Sequence, residues 1–508
     1  MFFSYIFIVF FKFCKLNFLG DAKLTKKKIM AKIHVVNFRR RKDFLKKTVW
    51  EARSCYKSII FVCLINVCRI NKTQSDMNNI AQQLMDLLDA SPVNFLAAEY
   101  VEKQLKAAGF THLDAGKPFP MLVPGKGYFV TKNNSAVFAF RMGTAHPSEA
   151  GFKLICAHSD SPCFRVKPAA EMYTEGGVVK LNTEVYGGPI LYTWFDRPLS
   201  LAGRVLLRSA NPLKPEVRRL KIEKPLLLIP HLAIHFNRQV NEGNKLSKQT
   251  DMLPVIGIIN DKLEADNLLL KVIAEELGVA MGDILDFDLS LYDTQKAELV
   301  GLNSEFISCG RLDDLAMVHA GLYALLNSSA TPMTQVLAVF DNEETGSGTK
   351  QGAASPVLRN LLERVVTNDG CGADGLYRAL EHSFMISADM AHALHPNYSS
   401  KHDPTNHPVM GGGPVIKINA NQKYVTDAES AAVFAEICRL AEVPCQYFVN
   451  HSDMAGGSTL GNILTSQLPM RGVDMGNPMW GMHSVRETAA VADQEYACKA
   501  FTAFFNLK

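Results

Sequence analysis

The sequence predicts an α/β protein in which helices cover a mostly parallel sheet and a mainly β domain is inserted. From Gly310 onward, apolar runs such as "QVLAVF" alternate with helical stretches such as "SPVLRNLLERVV". Strands that alternate with helices of this length are typical of parallel sheets buried on both faces. The preceding stretch of roughly 140 residues is instead rich in β-branched runs, prolines and turns, which favours a separate β domain.

The first half of the α/β domain is predicted to begin at Met77. Two helical patterns, "NNIAQQLMDLL" and "NFLAAEYVEKQLKAAGF", are separated by Ser91–Pro92, and the second ends at Gly109. The short strands "GYFVT", "SAVFAFRM" and "GFKLICA" follow. We therefore expect catalytic-domain parts at residues 77–166 and 306–508 and an inserted β domain at residues 167–305.

Residues 1–76 differ in composition from the rest of the chain. They hold 17 Lys and Arg against 4 Asp and Glu, whereas the remaining residues are acidic, with 37 against 46. The acidic body excludes nucleic acid as an expected partner. The apolar runs of the extension are too short to span a membrane, so no membrane partner is expected. We interpret the extension as a start assigned too early, with a targeting peptide as the alternative.

Eleven cysteines are scattered along the 508 residues without a CxxC pair, which predicts reduced thiols and a cytoplasmic protein. Cys156 and Cys163 flank a histidine motif and could be mistaken for metal ligands. Cys156 lies in an apolar run, so a buried core thiol is the better interpretation.

Polar residues with metal-binding side chains follow several predicted strands. In open α/β sheets, functional sites form at the carboxyl ends of strands. Histidines and carboxylates without thiols suit a pair of divalent cations, most naturally zinc, bridged by a carboxylate. Of two adjacent glutamates, one can bind metal while the other serves as general base. The candidates are His158, Asp160, Asp313, Asp314, Glu343, Glu344, Asp389 and His483.

Each of these motifs has an ordinary structural explanation. "HSD" after a strand is typical of a helix cap, "LDD" of an N-cap with acidic residues in the first turn, and "DNEE" of a solvated turn. The functional interpretation depends on their occurring together, in order, at the strand ends of one sheet.

At these residues the chain resembles the aspartyl aminopeptidase family of cocatalytic dinuclear zinc aminopeptidases, from about Met77 to Lys508. The resemblance implies a zinc-peptidase-like catalytic domain and two zinc ions per subunit. The implied roles are His158 and Asp389 on one zinc, Glu344 and His483 on the other, Asp313 as the bridge, Glu343 as the base and Asp160 as the partner that orients His158. The motifs that carry it are "AHSDSPCFRVKP", "GRLDDL", "DNEETGS", "SADMAHALHPNY", "GGGPVIKINANQKY" and "GMHSVRETA".

The same resemblance implies peptides with a free acidic amino terminus as substrates. Lys417 would meet the substrate's side-chain carboxylate, with Tyr424 nearby, although an isolated lysine on a strand usually faces water. The glycines of "GGGPVIK" predict a roomier pocket and a less strict preference for aspartate. The inserted domain is implied to mediate dimerisation, and the dimers to build a dodecamer.

In that family a histidine is lent to the neighbouring subunit's active site. The segment "HLAIHF", expected as an apolar strand, offers His235 for this role with His231 as the rival, and a histidine in the core of the β domain is the structural alternative. Two other functions remain open: a related zinc aminopeptidase of broad or neutral specificity, and a catalytically idle assembly or cargo protein.

Overall fold

The computed structural model describes residues 79–259 and 267–508. The predicted extension at residues 1–76 lies outside the described residues. Within these ranges the α-helices are α1 (79–90), α2 (Asn94–Ala107), α3 (Pro147–Ala150), α4 (Leu268–Leu277), α5 (Leu312–Asn327), α6 (Val357–Val366), α7 (Ala373–Glu381), α8 (Ala428–Leu440), α9 (Leu460–Thr465) and α10 (Val491–Asn506).

The strands of the described residues form three sheets. Their bounds are β1 (Thr111–His112), β2 (Gly127–Lys132), β3 (Ala136–Arg141), β4 (Phe152–His158), β5 (Cys163–Tyr173), β6 (Val178–Tyr186), β7 (Leu199–Leu207), β8 (Glu216–Lys221), β9 (Val255–Ile258), β10 (Ile284–Asp293), β11 (Glu298–Val300), β12 (Phe306–Cys309), β13 (Thr334–Phe340), β14 (Phe384–Ala388), β15 (Ala391–His392), β16 (Val415–Ile418), β17 (Gln446–Val449), β18 (Arg471–Gly476), β19 (Pro478–Trp480) and β20 (Glu487–Ala490).

A nine-stranded sheet organises the α/β part of the molecule. Its order is β1-β2-β3-β13-β4-β14-β18-β16-β17. The four central strands β13, β4, β14 and β18 are mutually parallel, so their carboxyl ends lie at one edge of the sheet. Strand β16 runs antiparallel to β18, which brings its amino end to that same edge. This confirms the predicted mostly parallel α/β architecture.

Helices cover both faces of this sheet because its central strands are apolar on both sides. Ile155 of β4 packs in one core with α2, α5, α8 and α10, whereas its neighbour Leu154 packs in the other core with α6, α7 and α9. Alternate side chains of a strand point to opposite faces, which explains the division. Burying each such aliphatic side chain stabilises the fold by about 1.5–3 kcal/mol.

The middle of the chain forms a six-stranded antiparallel sheet of order β8-β7-β10-β5-β6-β9, with α4 packed on its core. This confirms the inserted, mainly β domain. The sheet begins at Cys163 and ends at Asp293. Strands β11 and β12 instead join β20, β19 and β15 in a five-stranded sheet. The division at residues 167 and 305 stays a prediction.

One expected strand is absent from the described residues. Residues 231–236, "HLAIHF", form an extended segment and a turn, and isolated bridges end at Ile229. The prediction of a strand was wrong because the segment's apolar side chains are not packed. Leu232, Ile234 and Phe236 are exposed, Phe236 to 81%.

None of the helices in the described residues combines the length and apolarity needed to cross a bilayer. The cysteines in this part of the chain are free thiols, and Cys156 is fully buried in the sheet, as predicted.

Candidate metal centre

His158 is the last residue of β4, a strand whose seven residues are all buried. Its backbone N–H donates to Asp314 Oδ2 at 3.1 Å, and its ring Nδ1 lies 3.1 Å from the carbonyl oxygen of Asp160. These contacts fix the ring, and Nε2 is directed towards Asp313 Oδ1, 3.4 Å away. The strand end therefore presents one imidazole nitrogen to the interior of the site.

Asp313, at the start of α5, faces two histidines. Its Oδ1 lies near His158, and its Oδ2 lies 3.6 Å from His483 Nε2. The same His483 nitrogen lies 3.3 Å from Glu344 Oε2. Asp313 therefore presents one carboxylate oxygen to each imidazole.

The side chains fall into two groups that share Asp313. In each group the possible ligand atoms lie within 4.8 Å of one another, and tetrahedral zinc with bonds near 2.1 Å separates its ligands by about 3.4 Å. The first group includes Asp314, a candidate of the sequence to which the resemblance assigned no role. The groups are His158, Asp313, Asp314 and Asp389, and Asp313, Glu344 and His483.

Three buried carboxylate oxygens of this region have no hydrogen-bond partner among the described residues: Asp313 Oδ1, Asp314 Oδ1 and Glu344 Oε1. A buried charge without a partner costs several kcal/mol, so oxygen atoms in this state fit a cation that balances them. Nitrogen and oxygen donors without thiolate are a donor set that zinc accepts. The residues present therefore fit zinc.

The pKa values of the site show how far negative charge exceeds positive charge. Burial raises the pKa of Glu343 to about 8, and the charges of Asp389 and Asp313 act in the same direction. Burial and the charge of Asp313 likewise raise the pKa of Glu344 well above its usual range. Burial would lower the pKa of His158, but Asp160 and Asp313 raise it well above that of free imidazole. Bound protons therefore balance the negative charge that a metal cation would otherwise balance.

The loop after β13 carries the two glutamates. Asn342 adopts a left-handed conformation with φ of 62°, and Glu343 and Glu344 form a short 3-10 turn. Their backbone N–H groups donate to Asp160, at 3.1 Å to Oδ1 and 3.2 Å to Oδ2. Asp160 also accepts a hydrogen bond from Tyr186 at 2.6 Å. Asp160 thus holds the glutamate loop, and its Oδ1 lies 3.4 Å from His158 Nδ1, farther than its own carbonyl oxygen.

A cavity of about 250 Å³ opens beside these groups and contains the predicted substrate contacts. Lys417 and Tyr424 line it together with His158, Asp313 and Glu343. Lys417 is only 3% exposed, so the alternative of a lysine facing water is wrong. Its Nζ lies 3.6 Å from Asp389 Oδ1 and 5.7 Å from the centre of the Tyr424 ring.

Two further residues of the site were not predicted. His392 lines the cavity, three residues after Asp389. Glu487 accepts hydrogen bonds from the backbone N–H groups of Asp313 and His483, at 3.1 and 2.7 Å. Both stand within the motifs "SADMAHALHPNY" and "GMHSVRETA", which were the available signal.

The structure brings all the predicted metal and base candidates to one edge of the sheet, but not the predicted lent histidine. His235 is exposed, and neither it nor His231 lines the cavity. The alternative of a β-domain core histidine is wrong for His235.

Comparison with known proteins identifies the family. Residues 87–505 match the Aminopeptidase I zinc metalloprotease (M18) family. The chain belongs to this family. A relative from Clostridium acetobutylicum named "Probable M18 family aminopeptidase 2" is 51% identical over 427 residues, which are 84% of this chain and 98% of the relative. This confirms the resemblance to aspartyl aminopeptidases and makes the M18 chain a metalloaminopeptidase, a hydrolase.

Solved structures support the same assignment. A chain from a cryo-EM structure of the Ape4 and Nbr1 complex is 36% identical, with a TM-score of 0.81, covering 85% of this chain and 86% of that one. A chain of the S. cerevisiae mApe1 dodecamer is 25% identical, with a TM-score of 0.73, covering 84% of this chain and 96% of that one.

Proposed function

We propose that this M18 enzyme removes an acidic residue, aspartate before glutamate, from the amino terminus of peptides by a mechanism with two zinc ions and a glutamate base. The observation that carries the proposal is the position of Asp313. Its two carboxylate oxygens face His158 and His483 at 3.4 and 3.6 Å, and a second ligand group lies on each side. A carboxylate shared by two ligand groups supports a site for two cations.

In this proposal the two ligand groups hold the ions. His158 and Asp389 would bind one zinc, Glu344 and His483 the other, and Asp313 both. Asp314 Oδ2 is engaged by the His158 amide, which favours Asp389 as the carboxylate of the first ion. When bound, zinc acidifies a coordinated water and polarises the scissile carbonyl.

Glu343 is the proposed general base. It belongs to neither ligand group, yet it lines the cavity beside them. Its backbone N–H donates to Asp160, which fixes the position of the backbone from which the Glu343 carboxylate extends. A base whose pKa lies near that of the water it deprotonates is efficient. Glu343 would take the proton of the water and return it to the leaving amine.

The preference for an acidic residue depends on Lys417. Its ammonium is a buried cation in the cavity wall, and Asp389 is the only acid it pairs with in the described residues. When zinc is present, Asp389 would bind the metal. Lys417 would then be available to pair with a substrate carboxylate. A neutral first residue would leave this ammonium without a partner, which lowers transition-state binding.

Hydrolysis of aspartyl, glutamyl and leucyl substrates, with and without a chelator, tests the proposal. We expect the rates to fall in that order and to disappear on chelation. Equal rates for leucyl and aspartyl substrates would replace the proposal by a zinc aminopeptidase of broad specificity. Lack of turnover in the zinc-loaded protein would favour an idle assembly or cargo protein.

Glu343→Gln tests the base separately from the metals. It should retain both zinc ions and lose about 10²–10⁴-fold in turnover, the range for loss of a general base. Glu429→Gln is the control, because Glu429 is exposed on α8 and pairs with Arg471. Turnover near the wild-type rate in Glu343→Gln would remove Glu343 from this role.

We further propose a homo-oligomer, a dodecamer built from dimers, in which His235 enters the neighbouring subunit's active site and helps to hold the oxyanion. His235 lies outside its own subunit's cavity, among the exposed apolar side chains of Leu232, Ile234 and Phe236. Exposed apolar groups in this number favour contact with another surface. The solved mApe1 relative is a dodecamer.

Mixed oligomers distinguish the two histidines. His235→Ala subunits retain Glu343, and Glu343→Gln subunits retain His235. If the histidine acts between subunits, co-expression of the two inactive variants should restore activity. His231→Ala is the matched control and should be active alone. Two results would contradict the assignment of His235. His235→Ala would be active alone, or His231→Ala would be the inactive variant whose activity is restored by co-expression with Glu343→Gln.

A further inference from the structure

The carboxylate of Glu487 joins two parts of the metal site through their backbones. Its Oε2 accepts the N–H of Asp313 at 3.1 Å, and its Oε1 accepts the N–H of His483 at 2.7 Å. Glu487 is 2% exposed and stands at the start of β20, where it pairs with Cys309 of β12. It does not line the cavity, so it has no direct access to a substrate there.

The two residues it holds have irregular backbones. Asp313 has φ of −82° and ψ of 104° within the first turn of α5, and His483 has φ of 68° in the loop between β19 and β20. Neither N–H donates within a helix or a strand ladder. A buried backbone N–H without an acceptor is costly, and Glu487 supplies the acceptor for both groups. Glu487 therefore fixes two backbones that secondary structure leaves unfixed.

We propose that Glu487 is a positioning residue that sets the distance between the bridging carboxylate of Asp313 and the imidazole of His483. This inference depends on the proposed function, because it assumes that both side chains bind zinc. A single rigid acceptor between the two backbones keeps Asp313 Oδ2 and His483 Nε2 at the separation the second zinc needs. Outer groups that orient ligands in this way change metal affinity when they are altered.

A purely structural role for Glu487 would also explain the two hydrogen bonds, and Asp493 provides the matched comparison. Asp493 is fully buried on α10 and likewise accepts two backbone N–H groups, from Gly411 at 2.7 Å and Gly413 at 2.8 Å. It lies in neither ligand group and does not line the cavity. Substitution of Asp493 therefore measures the stability lost with such a hydrogen bond when the donor residues are not metal ligands.

The experiment compares Glu487→Gln with Asp493→Asn in the full-length protein. Each amide keeps one acceptor oxygen and places an NH₂ group against the other N–H, so both variants lose one hydrogen bond. After removal of metal, zinc is titrated in competition with a chromophoric chelator, and the thermal unfolding of the metal-free proteins is measured. The zinc concentration that gives half-maximal activity is measured in addition.

We expect Glu487→Gln to bind zinc about 10–100-fold more weakly, the range for loss of an outer-shell partner. The zinc concentration that gives half of its maximal activity should rise by the same factor. At saturating zinc, its KM for substrate should equal that of the wild type. Asp493→Asn should lose similar thermal stability in the metal-free state and keep wild-type zinc affinity. If Glu487→Gln does not fold, Glu487→Asp, which keeps the carboxyl group on a shorter side chain, should show the same weakening.

Equal zinc affinity in wild type and Glu487→Gln would overturn the inference and leave the proposed function intact. Equal weakening in Glu487→Gln and Asp493→Asn would also overturn it, because the effect would then be general destabilisation. A wild-type chain that binds no zinc would overturn the proposed function, and this inference with it.

Discussion

The two ends of strands β4 and β13 both bury ionisable or strongly polar side chains, but they satisfy them differently. At the amino end, Lys153 donates to the carbonyl oxygens of Phe505, at 3.0 Å, and Leu507. Gln335 donates to Phe505 O at 2.9 Å and accepts from Ser328 at 3.1 Å. Here the chain itself supplies the partners, and the result is an anchor for the end of α10.

At the carboxyl end of the same strands, buried carboxylates outnumber the donors around them. Within the part of the chain that the structure describes, Asp313 Oδ1 and Glu344 Oε1 lack hydrogen-bond partners. The pKa of Glu343 is raised to about 8 by burial and neighbouring acids. A buried charge that is satisfied within the chain stabilises a fold, whereas one that is left unsatisfied fits a ligand from outside. This difference separates an anchor from a site on a single pair of strands.

The largest expected effect comes from Asp313→Ala. Because Asp313 faces both histidines, its loss should remove zinc and reduce hydrolysis to background, measured by metal analysis and aminopeptidase assay. The metal-free variant should unfold below the wild-type temperature, since the buried His158 imidazole loses one of its ion-pair partners. A variant that retains zinc would contradict the proposed role of Asp313 and the contrast between the two strand ends.

A second expected effect is a pH dependence confined to the metal-free protein. Glu343 has a folded pKa of about 8 against an ordinary 4.5, so the folded state holds more protons between these values. Stability from this group is therefore present below the unfolded pKa and lost as pH rises through the folded one. Metal-free protein should unfold several degrees lower at pH 8 than at pH 5, measured by calorimetry.

Zinc should remove most of this pH dependence, because cations keep the carboxylates ionised in the folded state. Glu343→Gln is the matched variant and should show a shallower decline without metal. A wild-type metal-free protein whose stability rises over the same interval would contradict the charge imbalance on which the comparison depends.

Much of the sheet could be predicted because its central strands are uninterrupted apolar runs that end in polar residues. Strand β18 was missed, since "RGVDMG" places two glycines and Asp474 in a central position and reads as a loop. The core accommodates the buried Asp474 carboxyl group because the Thr459 hydroxyl and the Val425 N–H donate hydrogen bonds to it. Such partners come from distant parts of the chain, and no local pattern reveals them.

The site shows the same limit. His158 and Glu344 could be predicted from their positions after strands, because strand direction determines where they lie. Glu487 could not, since its role consists of two tertiary hydrogen bonds to loop backbones. The segment "HLAIHF" was interpreted as a strand because its pattern is apolar, although its side chains are exposed in the subunit.

A smaller effect is expected at the amino end. Lys153→Met removes the donor to Phe505 and Leu507 but also removes a costly buried ammonium, so the two terms partly offset. We expect the free energy of unfolding to fall by about 1–2 kcal/mol in denaturant titrations, with zinc content and KM unchanged. Lys103→Met is the control, because Lys103 is 69% exposed on α2. Loss of zinc in Lys153→Met would show that the two ends are not independent.

The smallest expected effect concerns Asp474, which is buried near the site end of the sheet yet satisfied by the chain. Thr459 Oγ1 donates to its Oδ1 at 2.6 Å and the Val425 N–H to its Oδ2 at 2.5 Å. Thr459 lines the cavity, and so does Tyr424, which precedes Val425. Gly461 leaves room for the carboxylate, since a Cβ there would lie 2.5 Å from Oδ2. Asp474 therefore joins two walls of the cavity around Lys417.

Asp474→Asn keeps an acceptor for Thr459 but places an NH₂ group against the Val425 N–H. The shift of this wall should lower the preference for aspartyl over leucyl substrates about fivefold, equivalent to one hydrogen bond of ~1 kcal/mol, without loss of zinc. The ratio of kcat/KM for the two substrates is the measurement. Asp427→Asn, at the N-cap of α8, is the control, because Asp427 accepts from the Ser430 N–H away from the cavity. An unchanged ratio would show that Asp474, like Lys153, has a purely structural role. Whether a buried polar group belongs to the anchor or to the site would then depend only on whether its hydrogen bonds are satisfied within the chain.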